Sequence, residues 1–329
     1  MKKIIMLLLF CLLVTGCGKE TPKDVLKGFQ KQLNDSTGYK LNGNLSIQNN
    51  DEVYEYAIEV CYQKEDYYKV TLTNKANNHT QIILKNTDGV YVLTPSLNKS
   101  FRFQSDWPYQ NSQAYLLNAL VRDMENDKDL VLQKKNDQYI FETKVLYPNN
   151  RRLIKQKIIF SKNLKPKKVV VYDQDGIDAM TMTFDKIKYS PKFQKEDFQL
   201  DSIIDKEKLD EVEETGAFDD IIYPLFVPEG TKLVNEEKVL KVNGERVLMN
   251  YEGEKSFLLV EETADVFEDF TVIPSMGEPY MLMDTLGVMT DNSLSWTSGG
   301  IDFYLVSDVM SQDEMIEVAQ SISGIVSMK

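Results

Sequence analysis

Apolar residues recur along this chain with two periods, and the change of period marks its parts. Val25, Leu26, Phe29 and Leu33 fall at helical spacing and predict an amphipathic helix over 23–33. From Tyr39 the period becomes two. Tyr39, Leu41, Leu45 and Ile47 alternate with Lys40, Asn42, Asn44 and Ser46, and Tyr54, Tyr56, Ile58, Val60 and Tyr62 alternate with Glu55, Ala57, Glu59 and Cys61. Such alternation predicts antiparallel strands with one dry and one wet face. Further strands are expected at 67–73, 80–85, 90–93 and 101–103, with Asp88-Gly89 as a hairpin turn. One helix interrupts them, capped by Ser112, with Leu116, Leu117, Leu120, Val121 and Met124 as its apolar stripe. Strands resume at 130–133, 139–145, 153–160, 168–172 and 180–189. Residues 39–189 therefore read as one large curved antiparallel half-barrel, mainly β, with helices covering its concave face.

The pattern weakens over 197–218, which is charged and reads as a linker with room for a helix at 206–214. A second, small α+β unit follows. It has a hairpin across Asn243-Gly244, strands at 257–261 and near Trp296, and a hairpin across Ser298-Gly299-Gly300. Ser311-Gln312-Asp313-Glu314 is a capping box. It opens a last helix with Met315, Ile316, Val318, Ala319 and Ile322 facing inward. The expected division is a signal peptide at 1–16, a tether at 17–22, a half-barrel at 23–200, a linker at 201–220 and the α+β unit at 221–329, with the two units folding independently.

The first residues change the picture most. Lys2 and Lys3 precede an apolar run from Ile4 to Val14, too short to cross a bilayer comfortably, and Val14-Thr15-Gly16-Cys17 follows as a lipobox. Cys17 is the expected lipidation site and the membrane anchor, which places the mature chain on the outer, extracytoplasmic face of the cell membrane. Of the 3 cysteines, Cys11 leaves with the signal and Cys17 carries lipid. Cys61 is left without an intramolecular partner, more in keeping with a packing residue than a reactive thiol.

Charge divides the chain as well. Residues 211–329 hold 6 Lys and Arg against 24 Asp and Glu, whereas the whole chain holds 38 against 51. The acidic half should be repelled by anionic lipid and wall polymer. Chemistry is sparse. His79 is the single histidine, set in a polar loop with no nucleophile motif nearby, so no catalytic residue is assigned and no enzyme is expected. No zinc-ligand spacing occurs, Asp173-Gln174-Asp175-Gly176 lacks the later ligands of a calcium loop, and neither metal nor cofactor is expected. The basic run from Arg151 to Lys168 is interleaved with Ile154, Ile158 and Phe160. That fits the wet face of a strand rather than a nucleic-acid surface, with a weaker reading as attraction to anionic lipid or an acidic partner.

The aromatic residues admit two readings. Tyr54, Tyr56, Tyr62, Phe101, Phe103, Tyr139 and Phe141, with Leu116 and Leu120 on the covering helix, either pack the core or line a groove for an acyl chain or apolar peptide.

Asp88-Gly89-Val90-Tyr91-Val92-Leu93-Thr94-Pro95 with Asn98-Lys99-Ser100-Phe101, Leu164-Lys165-Pro166-Lys167-Lys168-Val169, and Ser190 to Phe198 together resemble the LolA-like and RseB-like lipoproteins over about residues 20–200. The two-unit layout with a lipobox is most similar to YdcC-like Gram-positive sporulation lipoproteins, which are related to GerS. Pro228-Glu229-Gly230, Asn250-Tyr251, Phe257 to Val260, Leu294-Ser295-Trp296 and Glu314 to Ile322 resemble a DUF4367-like module. The resemblance implies a half-open barrel closed by helices and a membrane-anchored lipoprotein of sporulation, germination or envelope maintenance that binds a hydrophobic ligand or scaffolds a partner. It also implies two alternatives: a sensor that regulates an anti-sigma factor, and a partner or chaperone of a cell-wall amidase.

Overall fold

The computed structural model describes residues 20–49, 52–109, 111–148, 150–207, 221–242, 244–282 and 285–326. The signal peptide, Cys17 and residues 208–220 of the expected linker lie outside them.

Helix α1 (Pro22–Asn34) begins as its sequence directs. Pro22 sits in the first turn, the Thr21 hydroxyl accepts the Asp24 N–H at 3.2 Å, and the Asp24 carboxylate accepts the Thr21 N–H at 3.1 Å. A meander of antiparallel strands follows: β1 (Gly38–Asn49), β2 (Glu52–Gln63), β3 (Tyr67–Asn74), β4 (Thr80–Asn86), β5 (Gly89–Thr94) and β6 (Lys99–Phe103). Helix α2 (Leu117–Asn126) interrupts it. Then come β7 (Val131–Lys135), β8 (Gln138–Lys144), β9 (Leu153–Ser161), β10 (Pro166–Asp173) and β11 (Asp178–Tyr189), and β11 returns to pair with β1. The Asp173–Gly176 motif is the β10–β11 turn, in which the Asp173 carboxylate accepts the N–H groups of Asp175 and Ile177.

Helices α1 and α2 cover one face of this sheet. Phe29, Leu117 and Leu120 of the helices and Leu41, Phe141, Ile158 and Phe160 of the strands are all no more than 1% exposed. The Phe29 and Phe160 rings meet edge to face at 4.8 Å. Helix α2 starts later than expected. Its N-cap is Leu116, and Ser112 instead pairs with Leu146 through backbone and hydroxyl. The opposite face is covered too. A 3₁₀ turn at Lys195–Phe198 and helix α3 (Leu200–Glu207) pack Phe198 and Ile203 onto Cys61, Ile82, Leu84, Tyr91 and Leu93. Residues 201–204, expected to begin a linker, thus pack with the first unit. Cys61 is buried despite sharing a side with Glu59, and burial raises its thiol to about 11, away from reactivity.

The second unit is a sheet of β12 (Thr231–Lys241), β13 (Gly244–Gly253) and β14 (Phe257–Thr263) with β16 (Glu278–Met281), β17 (Leu286–Met289), β18 (Ser293–Ser298) and β19 (Ile301–Val306). Helix α4 (Gln312–Val326) closes its core. The capping box at Ser311 and Glu314 is present, and Met315, Ile316, Val318, Ala319 and Ile322 are buried.

Between β14 and β16 the chain leaves this unit. Strand β15 (Thr271–Ser275) adds to the edge of the first sheet, parallel to β6, in the register Thr271↔Lys99 to Ser275↔Phe103. The first sheet therefore has twelve strands, and one of them comes from the C-terminal part of the chain. Pro274 is tolerated there because β15 is an edge strand. The Asn98 side chain helps to hold the crossing, donating to the Phe267 carbonyl at 2.8 Å.

Candidate functional site

The two units meet through polar contacts that are themselves buried. The Lys99 ammonium lies 3.0 and 3.1 Å from the Asp302 carboxylate oxygens, with both side chains less than 10% exposed. The Thr297 hydroxyl donates to the same carboxylate. The Gln81 side chain of β4 reads the backbone of β17. Its carbonyl accepts the Leu286 N–H at 2.6 Å and the Thr285 hydroxyl at 3.2 Å, and its amide donates to Thr94. At the outer margin Arg152 reaches Glu317 of α4 at 3.3 Å, and the Arg151 N–H donates to Asp313 at 3.2 Å. Part of the basic run thus meets acidic residues of its own chain.

Beside these contacts lies a cavity of about 270 Å³. Its walls come from both units. Leu45 and Ile47 of β1, Ile83 of β4 and Met180 of β11 form the sheet side. Trp107, Ala114 and Tyr115 enter from the loop before α2. The second unit supplies Tyr280, Met281, Leu286 and Ile316. Leu45, Ile83, Trp107, Ala114 and Ile316 are no more than 2% exposed and form its floor, while Gln48, Arg152 and Ile177 at its mouth are exposed. Burial pushes the hydroxyls of Tyr115, Tyr147 and Tyr280 well above the usual phenol range, so they remain protonated.

The aromatic residues singled out above lie elsewhere. Tyr54, Tyr56, Phe103, Leu116, Leu120, Tyr139 and Phe141 are buried in the core of the first unit, and Tyr62 and Phe101 pack half-buried against it. Tyr62 lies between Tyr39 and Tyr68, at 5.0 and 4.7 Å. None of the nine lines the cavity. The sheet face under α1 and α2 is filled by side chains, and the space lies where the second unit meets the sheet. Its lining was not singled out from sequence because its partners are distant: Leu45 meets residues some 240 positions later. Among the described residues, no His, Cys, Asp and Glu cluster is placed to hold a metal, and no helix is long and apolar enough to cross a membrane.

A family model described as sporulation protein YdcC-like matches residues 1–198. The sporulation protein YdcC of Bacillus subtilis (strain 168) is 38% identical over 320 residues, covering 96% of this chain and 95% of that protein. The chain belongs to the YdcC-like sporulation protein family. Solved structures give weaker likenesses. A chain of the Pseudomonas aeruginosa MucA/MucB complex matches at TM-score 0.33 and 11% identity, covering 91% of this chain and 96% of that one. A LolA superfamily protein from Nitrosomonas europaea matches at TM-score 0.33 and 14% identity over 55% of this chain and 98% of its own. The structure of the CwlD amidase from Clostridioides difficile with the GerS lipoprotein matches at TM-score 0.24 and 18% identity, over 53% and 99%. At such TM-scores these likenesses carry no functional argument.

Proposed function

We propose that this YdcC-like chain is a non-enzymatic, extracytoplasmic protein of sporulation, held on the cell membrane by lipid at Cys17, that binds an apolar ligand between its two units. The cavity carries this reading. Its floor is aliphatic, methionine and aromatic side chains with polar and charged residues around them, and its volume lies just below the small end of the range typical of ligand pockets, about 300 Å³. Each buried methylene contributes about 0.8 kcal/mol, so six of them suffice for measurable affinity. The protein should take up a neutral apolar dye, and Ala179→Trp, on the cavity wall, should abolish that uptake without unfolding the chain. Absence of dye and of copurifying lipid from the folded wild type would overturn the ligand reading.

The anchor is tested separately. Cys17→Ala should lose all labelling by a clickable fatty acid in cells, and equal labelling of the variant would remove the lipid from the account.

The exposed edge strand β12 favours a second reading, a scaffold for a partner protein. Leu240 on it is 80% exposed, and Leu225 nearby in sequence 79%. An unpaired edge with apolar side chains suits strand addition by a partner such as an anti-sigma factor or a wall amidase. Leu240→Lys should then weaken a crosslink to that partner and leave dye uptake intact.

A further inference from the structure

We infer that the cavity selects amphiphiles with a neutral or cationic polar end and turns away carboxylates. This rests on the cavity being a binding site for apolar ligands, and it names the class of ligand.

The charged groups among its lining residues are uneven. Asp173, Asp313 and Glu317 stand against one cation, Arg152, and no lysine or histidine joins them. The Arg152 guanidinium is already engaged. It lies 3.3 Å from Glu317 and 3.6 Å from Asp175. No cation in the lining is thus left for an incoming anion, while the Asp313 carboxylate accepts the Arg151 N–H at 3.2 Å and has no ion pair among the described residues. The lining tyrosines Tyr115, Tyr147 and Tyr280 are held protonated by burial and supply no positive charge either. A largely apolar chamber with a net negative margin fits a long-chain alcohol, amide or amine, and repels a fatty-acid carboxylate.

The test uses the full chain with Cys17→Ser, so that its own lipid does not compete, and follows displacement of Nile red by decylamine, decanol and decanoate below their micellar concentrations. Decylamine and decanol should displace the dye at concentrations about tenfold lower than decanoate. Asp313→Asn with Glu317→Gln removes two margin charges and leaves Arg152 with Asp175 alone, so the decanoate deficit should shrink to less than threefold. Ala179→Trp should leave no bound dye for any of the three to displace. Decanoate equal to the alcohol in the wild type would overturn the head-group selection and leave the apolar site standing. Failure of all three to displace, or displacement unchanged in folded Ala179→Trp, would overturn the site and with it the selection.

Discussion

The same sheet face is filled at one end and hollow at the other. Under α1 and α2, Phe29, Leu120, Phe141 and Phe160 are no more than 1% exposed, and the Phe141 and Phe160 rings meet at 5.8 Å. Toward the second unit, Leu45 and Ile83 are equally shielded from water, yet they border about 270 Å³ of space. The strands are alike at both ends, so alternation does not distinguish core from cavity wall. The cover does. Helices supplied with the sheet drive their side chains into it, whereas the second unit bridges the rim through fixed polar contacts and leaves the middle open.

The contrast breaks most sharply at the filled end and at the rim. Phe141→Ala should cost about 3–5 kcal/mol in urea unfolding, because the site is packed on all sides. Asp302→Ala should cost a similar amount, about 3–5 kcal/mol, because it leaves Lys99 charged and buried without its partner. The double change Lys99→Met with Asp302→Leu should recover most of that loss. A result near zero for Asp302→Ala would mean that the units are not clamped there.

Acidity distinguishes the two units next. Burial raises the Asp123 carboxyl of the first unit to about 6 and the Glu261 carboxyl of the second to about 8. Each folded state then binds more protons than the unfolded chain, so stability falls as pH rises between the unfolded and folded values. For Asp123 that window runs from the ordinary 3.8 to about 6, and for Glu261 from 4.5 to about 8. The first unit should level off near neutrality while the second still weakens, by no more than about 1.4 kcal/mol per pH unit. Glu261→Gln should flatten the melting profile between pH 6 and 8. An unchanged slope would assign the dependence to another group.

The smallest effects are expected at the margin of the hollow end. Leu153→Ala, on a half-buried cavity-lining side chain, should cost less than about 1 kcal/mol, because space is already present there. Arg152→Ala should cost less still, since its pairs are half exposed and screened, and the difference should vanish in high salt.

Much of this architecture is legible from local chemistry. The β1–β2 register, the cap at Thr21 and the helix opened by Ser311 follow from alternation and from hydroxyl–carboxylate spacing within a few residues. The structure departs from local reading where a distant contact decides. Ser112 has the chemistry of a cap, but Leu146 claims it and the helix starts at Leu117. Cys61 shares a side with acidic neighbours, but Phe198 and Ile203 cover it. Strands β15, β16 and β17 are only four or five residues long, and two of them contain proline, so no period could show them. The candidate site suffers most, because its walls come from opposite ends of the chain. Sequence reading could find apolar residues in it but not the gap among them.

Strand β15 also sets an order of events. While the chain is being made, β6 is complete long before residue 271, and the first sheet waits with an unpaired parallel edge beside Lys99 and Phe101. Only synthesis of the C-terminal part supplies the strand that covers that edge and replaces it with a short one carrying Pro274. Pairing across so long a sequence separation is slow, and an open edge invites pairing with other chains in the meantime. A message truncated near residue 200 would therefore encode nearly all of the first sheet and still yield a sticky product, with the last strand of its own sheet missing.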